Sequence, residues 1–145
     1  MTPAFGRQPA PAGFTLEAGM VLLVFTDLVN PAKVKYLIVA SISPDRSKVG
    51  LVIVSTHQNP FASKNPEIAA RQWVLRADDR HIVMYNSFAD CAQVKVRPYD
   101  EVQGWLSTPR VLRGRLSGKE LHKVLELLRT APTITPATKR DLGLI

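Results

Sequence analysis

Two apolar runs decide the fold of this chain: Lys33-Val-Lys-Tyr-Leu-Ile-Val-Ala-Ser41 and Gly50-Leu-Val-Ile-Val-Ser-Thr-His-Gln58. Each run is too short for a packed helix and is rich in Val and Ile, so each is predicted to be a buried β-strand. The polar segment between them, residues 42–49, contains Pro44 and Asp45, which suit a tight reversal. The two strands are therefore predicted to pair antiparallel, with the start of the first beside the end of the second.

This pairing is expected to gather polar side chains at one edge of the sheet. Lys35 lies near the start of the first strand, and Ser55, Thr56 and His57 close the second. A cation, two hydroxyls and an imidazole are groups that bind an anion by charge and by hydrogen bonding. The sequence therefore predicts a site for an anionic ligand at this edge.

Length and composition indicate one soluble, cytoplasmic domain. The 145 residues are 46% hydrophobic, and no apolar run approaches the roughly 20 residues of a transmembrane helix. The N-terminus lacks the apolar segment of a signal peptide. The single cysteine, Cys91, excludes an intramolecular disulfide and fits a reducing compartment. The three scattered histidines have no metal-ligand spacing, so neither a metal nor another cofactor is predicted.

The basic charge leaves two interpretations open. Nineteen Lys and Arg residues against twelve Asp and Glu give a formal net charge of +7. Such a charge attracts a polyanion such as RNA or DNA, but it also suits an ordinary soluble surface. Six basic residues lie between positions 110 and 129, which favours a basic face over dispersed charge.

The order of elements predicts a mainly β fold with α-helix. Residues 1–13, rich in Pro and Gly, are predicted to form a flexible N-terminal arm, residues 14–131 the domain, and residues 132–145 a C-terminal tail. Besides the two long runs, short strands are expected at residues 20–25, 72–75, 81–84 and 93–96. Strands followed by one clear helix favour a small curled β-barrel capped by that helix.

The C-terminal helix has the clearest local signals. Ser117 and Glu120 form a capping box, and residues 121, 124, 125 and 128 form an apolar stripe at helical spacing. Pro132 is predicted to follow the end of the helix.

Several segments, taken in order, resemble the MazF/PemK-like toxin family, whose characterised members are SH3-like barrels that act as endoribonucleases. The likeness runs through about residues 17–130 and rests on five short stretches: 19–24, 35–41, 50–58, 90–95 and 114–121. It implies metal-independent cleavage of single-stranded RNA, a homodimer, and an antitoxin protein as partner.

The resemblance implies site residues, and the chain departs from the family at some of them. The catalytic Thr or Ser of the family falls on Thr56, and its catalytic Arg falls on Lys35. Lysine neutralises a phosphate but lacks the planar fork of a guanidinium. The family has an acidic residue directly before a Gln; in this chain the residue before Gln93 is Ala92, and Asp90 lies two residues earlier.

Metal-free RNA cleavage needs a base, an acid and cations on the phosphate. The predicted catalytic residues are Lys35, Thr56, His57 and Asp90, with His81 a second candidate for proton transfer. The predicted RNA-binding residues are Ser55, Lys33, His81, Lys95 and Arg97. Several have a simpler interpretation: the histidines as exposed loop or strand-end residues, Lys35 as a charge that protects a sheet edge, Thr56 as a strand cap, and Asp90 as a residue that holds a turn.

Two functions stay open at this point. One is an endoribonuclease toxin with RNA lying between the protomers of a homodimer. The other is a catalytically inactive barrel that binds RNA or protein, which the Lys at position 35 favours. A structural protein that binds an anionic ligand other than nucleic acid is a more distant third.

Overall fold

The computed structural model describes residues 14–145, so the predicted arm of residues 1–13 lies outside the described residues. Seven strands form one sheet. They are β1 (Met20–Thr26), β2 (Lys33–Ile42), β3 (Lys48–Ser55), β4 (Gln72–Leu75), β5 (Ser87–Asp90), β6 (Lys95–Pro98) and β7 (Leu112–Arg115). The helices are α1 (Pro66–Ala69), α2 (Tyr99–Trp105), α3 (Gly118–Arg129) and α4 (Pro136–Asp141), with a 3₁₀ turn at Pro60–Ser63. The predicted mainly β fold with α-helix is confirmed.

The hairpin predicted from the two apolar runs is the centre of the sheet. Strands β2 and β3 pair antiparallel, with Tyr36 opposite Val54 and Ile42 opposite Val49. The strand order is β4-β5-β3-β2-β1-β7, and the sheet curls into a half-barrel. Strand β3 also pairs with β6 near its start, whereas its last residues pair with β5.

Both faces of the central strands are buried. In β2, Leu37 and Val39 point into a core that is shared with helix α2, whereas Ile38 and Ala40 point into a second core shared with helix α3. Antiparallel sheets commonly expose one face to water and then alternate apolar with polar residues. Two covered faces explain why these strands are apolar at almost every position.

Helix α3 covers one face of the sheet as predicted. The Ser117 hydroxyl accepts a bond from the Glu120 amide at 3.2 Å, and the Glu120 carboxylate accepts one from the Ser117 amide at 2.8 Å. Val124 and Leu128 on the predicted stripe are fully buried. The capping box and the end of the helix before Pro132 are confirmed.

Two predicted strands differ from the structure. Residues 81–84 form no strand, because the backbone at His81 is left-handed (φ 56°) and turns the chain. The strand expected at residues 93–96 lies at Lys95–Pro98 instead. The Asp90 carboxylate accepts bonds from the Ala92 amide and the Gln93 side chain, which hold a turn directly after β5 and delay β6.

Residues 132–145, which lack a clear sequence pattern, are folded onto the domain. Thr135 caps helix α4, and Leu142 and Leu144 are buried in the same core as α3. A six-residue helix is too short to show a full amphipathic period. None of the helices in residues 14–145 is long and apolar enough to cross a membrane.

Candidate functional site

The start of β2 and the end of β3 meet at one end of the sheet. Lys35 Nζ donates a hydrogen bond to Ser55 Oγ at 2.7 Å. The neighbouring pair, Tyr36 and Val54, belongs to the antiparallel ladder. The structure therefore brings Lys35 and Ser55 together as the hairpin predicts. We call this end of the hairpin, with Lys35, Ser55 and the following Thr56 and His57, the open end.

The surroundings of Lys35 disfavour its charged form. Burial of the side chain, and then the like charge of Lys33, lower the pKa of Lys35. Lys33 lies two residues earlier, on the same side of the strand, and is exposed. An ammonium group that is partly desolvated and repelled by a neighbour gains more than a free one when an anion binds.

Lys35 lines a cavity of about 270 Å³, which we call the Lys35 cavity. Ser55, Thr56, Tyr85 and Ser87 line it as well, so one cation and several hydroxyl groups share one space. Thr56 is exposed, one residue beyond the end of β3. Hydroxyl donors and an ammonium group are suited to bind phosphate oxygens.

His57 lies in a different cavity. This space, of about 180 Å³, is also lined by Asn59, Asp90 and Gln93, and we call it the His57 cavity. Ser55 lines both this cavity and the Lys35 cavity. The structure therefore places His57 and Lys35 on either side of Ser55, in adjoining spaces.

The buried carboxylate of Asp90 is fully engaged. It accepts hydrogen bonds from the side chains of Asn59 (2.9 Å), Gln72 (2.7 Å) and Gln93 (2.6 Å), and from the Ala92 amide (3.2 Å). These bonds fix the amide side chains of Asn59 and Gln93, which line the His57 cavity, and that of Gln72 on β4. The geometry suits Asp90 for positioning its neighbours, because its oxygens are occupied by donors.

His81 lies beside a third cavity, of about 470 Å³. Tyr36, Met84 and Arg113 line this space, which we call the Arg113 cavity, together with His81 and Asp78. Tyr36 and Met84 also line the Lys35 cavity, so the two spaces adjoin. His81 and His57 therefore line separate cavities, each of which shares residues with the Lys35 cavity.

The structure does not bring Lys95 and Arg97 to the open end. Both lie on β6, where Lys95 pairs with Leu51, four residues before Ser55 on β3. The Arg97 guanidinium forms ion pairs with Asp27 at 2.7 Å and with Glu101 at 3.3 Å. These partners already neutralise Arg97, which reduces its charge available to RNA.

Neither the cysteine nor a cluster of metal ligands gives a further site in residues 14–145. Burial raises the pKa of the Cys91 thiol to about 12, so the buried thiol stays protonated and unreactive. Within residues 14–145, no group of His, Cys, Asp and Glu side chains is arranged to hold a metal ion.

Sequence reasoning missed Arg113 and Tyr85 as lining residues of these cavities. Both lie far from the open end along the chain, on β7 and on the loop before β5. The sequence does carry a weak signal for Arg113, which belongs to the concentration of basic residues between positions 110 and 129.

A comparison of the chain with models of known protein families finds no match, and a comparison with curated proteins finds none either. The function is therefore inferred from the geometry of the open end together with the motif resemblance.

Proposed function

We propose that the open end binds single-stranded RNA and cleaves it without a metal ion, as the resemblance to MazF/PemK-like toxins implies. The observation that carries the proposal is the hydrogen bond between Lys35 and Ser55 at the rim of a cavity that Thr56 shares. A strand-end cation beside hydroxyl donors is the arrangement that a phosphodiester needs.

The proposed reaction breaks the bond between phosphorus and the 5′-oxygen. The ribose 2′-oxygen attacks phosphorus and gives its proton to a base, while the departing 5′-oxygen takes a proton from an acid. The products are a 2′,3′-cyclic phosphate and a 5′-hydroxyl. The proposal assigns phosphate neutralisation to Lys35, hydrogen bonding to Ser55 and Thr56, and proton transfer to His57. Asp90 acts as a positioning residue through Asn59 and Gln93.

A homodimer and an antitoxin protein belong to the same proposal. Phe25 and Val34 face each other across β1 and β2 and are 71% and 57% exposed. They line a fourth cavity, of about 430 Å³, together with Trp105. Val34 also lines the Lys35 cavity, so an apolar surface adjoins the proposed RNA site. A protein that covers this surface would bury it and limit access of RNA to the open end.

The same surface supports a second candidate function. A barrel that has lost cleavage would bind RNA or protein at this end, and the exposed Met84 and Tyr85 enlarge the apolar area. The single charge of Lys35, in place of a bidentate guanidinium, favours this candidate. We place either activity in the cytoplasm, where the lone cysteine stays reduced.

The test uses labelled single-stranded RNA at several salt concentrations. Lys35→Ala should weaken binding to all sequences alike and reduce the salt slope by about one, because a phosphate contact carries no base information. Lys48→Ala is the matched control, since it removes a lysine from the other end of the same hairpin. Lys35→Arg should raise the cleavage rate, because a guanidinium bridges two phosphoryl oxygens.

The catalytic assignments need a separate readout. Thr56→Ala and His57→Ala should each lower the cleavage rate about tenfold or more and leave RNA binding nearly unchanged. Binding without cleavage by the wild type would favour the inactive barrel. A wild type that neither binds nor cleaves RNA at low salt would refute both RNA functions and leave the protein-binding module.

A further inference from the structure

The Arg113 cavity adjoins the proposed RNA site and contains a cation to which no role has been assigned. Tyr36 and Met84 form the boundary between this cavity and the Lys35 cavity. Arg113 and His81 also line the Arg113 cavity. A ligand that extends from one cavity into the other meets Lys35 first and Arg113 second.

A β-bulge presents Arg113. Strand β7 pairs with β1 through Leu112 opposite Leu22 and Gly114 opposite Val21. Arg113 is therefore the extra residue on β7, between two positions that face consecutive residues of β1. Bulges of this kind redirect a side chain and occur often beside functional sites.

Gly114 allows the loop that carries His81 to pack against β7. A Cβ atom at position 114 would lie 2.7 Å from Cγ1 of Ile82, closer than side chains approach one another. Ile82 is buried and directly follows His81. This close approach brings the loop that carries His81 against the strand that carries Arg113, and both residues line the same cavity.

The remaining charge in the cavity is already compensated. Asp78 also lines the space, but its carboxylate forms an ion pair with Arg80 at 2.8 Å. Arg80 in turn forms two bonds with the Glu120 carboxylate, at 2.7 and 3.0 Å, which anchor the loop to the start of α3. The Arg113 guanidinium has no ion-pair partner among residues 14–145.

We infer that Arg113 is a second phosphate-binding residue, which holds the phosphodiester next to the one bound at Lys35. The inference rests on the proposed RNA-binding function and deepens it: the ligand is an RNA strand that occupies both cavities, with the Tyr36 side chain between its two phosphates. Arg113 then supplies the bidentate guanidinium that the open end lacks at position 35.

The closing experiment combines a protein variant with a single neutral linkage in the RNA. A short single-stranded RNA is prepared with one methylphosphonate in place of each phosphate in turn, which removes one charge at a known position. In the wild type, the neutral linkage at the Arg113 position should weaken binding about tenfold. In Arg113→Ala, the unmodified RNA should bind about tenfold more weakly, and that same linkage should cause no further loss.

Two controls make the outcome decisive. Arg140→Ala removes an exposed arginine from helix α4 and should bind every RNA as the wild type does. Arg113→Lys should recover part of the lost affinity, because it restores the charge without the fork. The inference is overturned if Arg113→Ala binds like Arg140→Ala, or if the losses from variant and linkage add independently. Failure of the wild type to bind any RNA would instead refute the proposed function, and the inference with it.

Discussion

The two ends of the β2–β3 hairpin have opposite characters. At the turn end, formed by Ser43, Asp45 and Ser47, nearly every polar group has an internal partner. The buried Ser43 hydroxyl donates to Asp45 at 2.7 Å and accepts the amides of Ser47 at 3.1 Å and Lys48 at 3.0 Å. Asp45 accepts the Ser47 hydroxyl at 2.7 Å and the Ser47 amide at 3.0 Å.

The C-terminal segment also covers the turn end. Lys48 Nζ forms an ion pair with Asp141 at 2.7 Å. A Cβ atom built on Gly50 would lie 3.1 Å from the Leu142 side chain, so this residue packs directly on β3. The turn end is therefore closed by hydrogen bonds and by a covering segment.

The open end has neither form of closure. Its lysine donates one bond, to Ser55, and both residues line the Lys35 cavity. The His57 cavity adjoins that space at Ser55, and the Arg113 cavity adjoins it at Tyr36 and Met84. One hairpin therefore combines an end whose polar groups hold the fold with an end whose polar groups are left accessible. Polar groups without internal partners are available to a ligand, whereas those with partners hold the fold.

The largest expected difference between the two ends concerns burial. Leu142→Ala, beside the turn end, should lower the free energy of unfolding by about 2 to 5 kcal/mol, because the side chain is fully buried and leaves a cavity. Phe25→Ala, beside the open end, should change it by less than about 0.5 kcal/mol. Urea denaturation measures both. A loss of stability for Leu142→Ala as small as that expected for Phe25→Ala would show that the C-terminal segment does not stabilise the turn end.

A smaller difference is expected from two serines. Ser43→Ala should cost about 1 to 3 kcal/mol, since it leaves the Lys48 amide without its acceptor and removes one of the two acceptors of the Ser47 amide. Ser55→Ala should cost less than about 1 kcal/mol, because solvent replaces its bond to Lys35. The same denaturation series gives both values. A larger loss for Ser55→Ala would mean that the open end also carries stability.

The smallest effect depends on pH. Hydrogen bonds from the Ser47 hydroxyl, then from Ser43 and the Ser47 amide, lower the pKa of Asp45 to about 2 from an ordinary value of 3.8. Because the folded pKa is depressed, the stabilisation is complete above pH 3.8 and is lost as the pH falls toward 2.

The variant Asp45→Asn tests this pH dependence. The stability difference between wild type and variant should be constant from pH 5 to 8 and should shrink below pH 4. Urea midpoints with matched slopes across this range measure it. A difference that stays constant down to pH 2.5 would contradict the assigned role of the carboxylate.

Much of the fold follows from local signals in the sequence. The apolar runs, Pro44 and Asp45 predicted the hairpin, and Ser117 with Glu120 predicted the start of α3. The left-handed backbone at His81 was not predictable, because the next residue, Ile82, packs against Gly114 on a distant strand and no local motif signals that contact. The turn after β5 is held by local bonds that Asp90 accepts from residues 92 and 93, so a local signal for the later start of β6 was present in the sequence. Helix α4 was missed because six residues give too little periodicity.

The candidate site likewise has one part that the sequence predicts and another that depends on contacts between distant segments. The sequence by itself determined that Lys35 and Ser55 lie together, since antiparallel pairing of neighbouring strands fixes which residues face each other. Only the tertiary structure decided that His57 lies in a separate cavity and that Arg113 lies beside His81. The position of Arg113 depends on a bulge in β7, and the approach of the His81 loop depends on the close contact of Ile82 with Gly114. Contacts between segments so distant in the chain leave no period or local motif in the sequence.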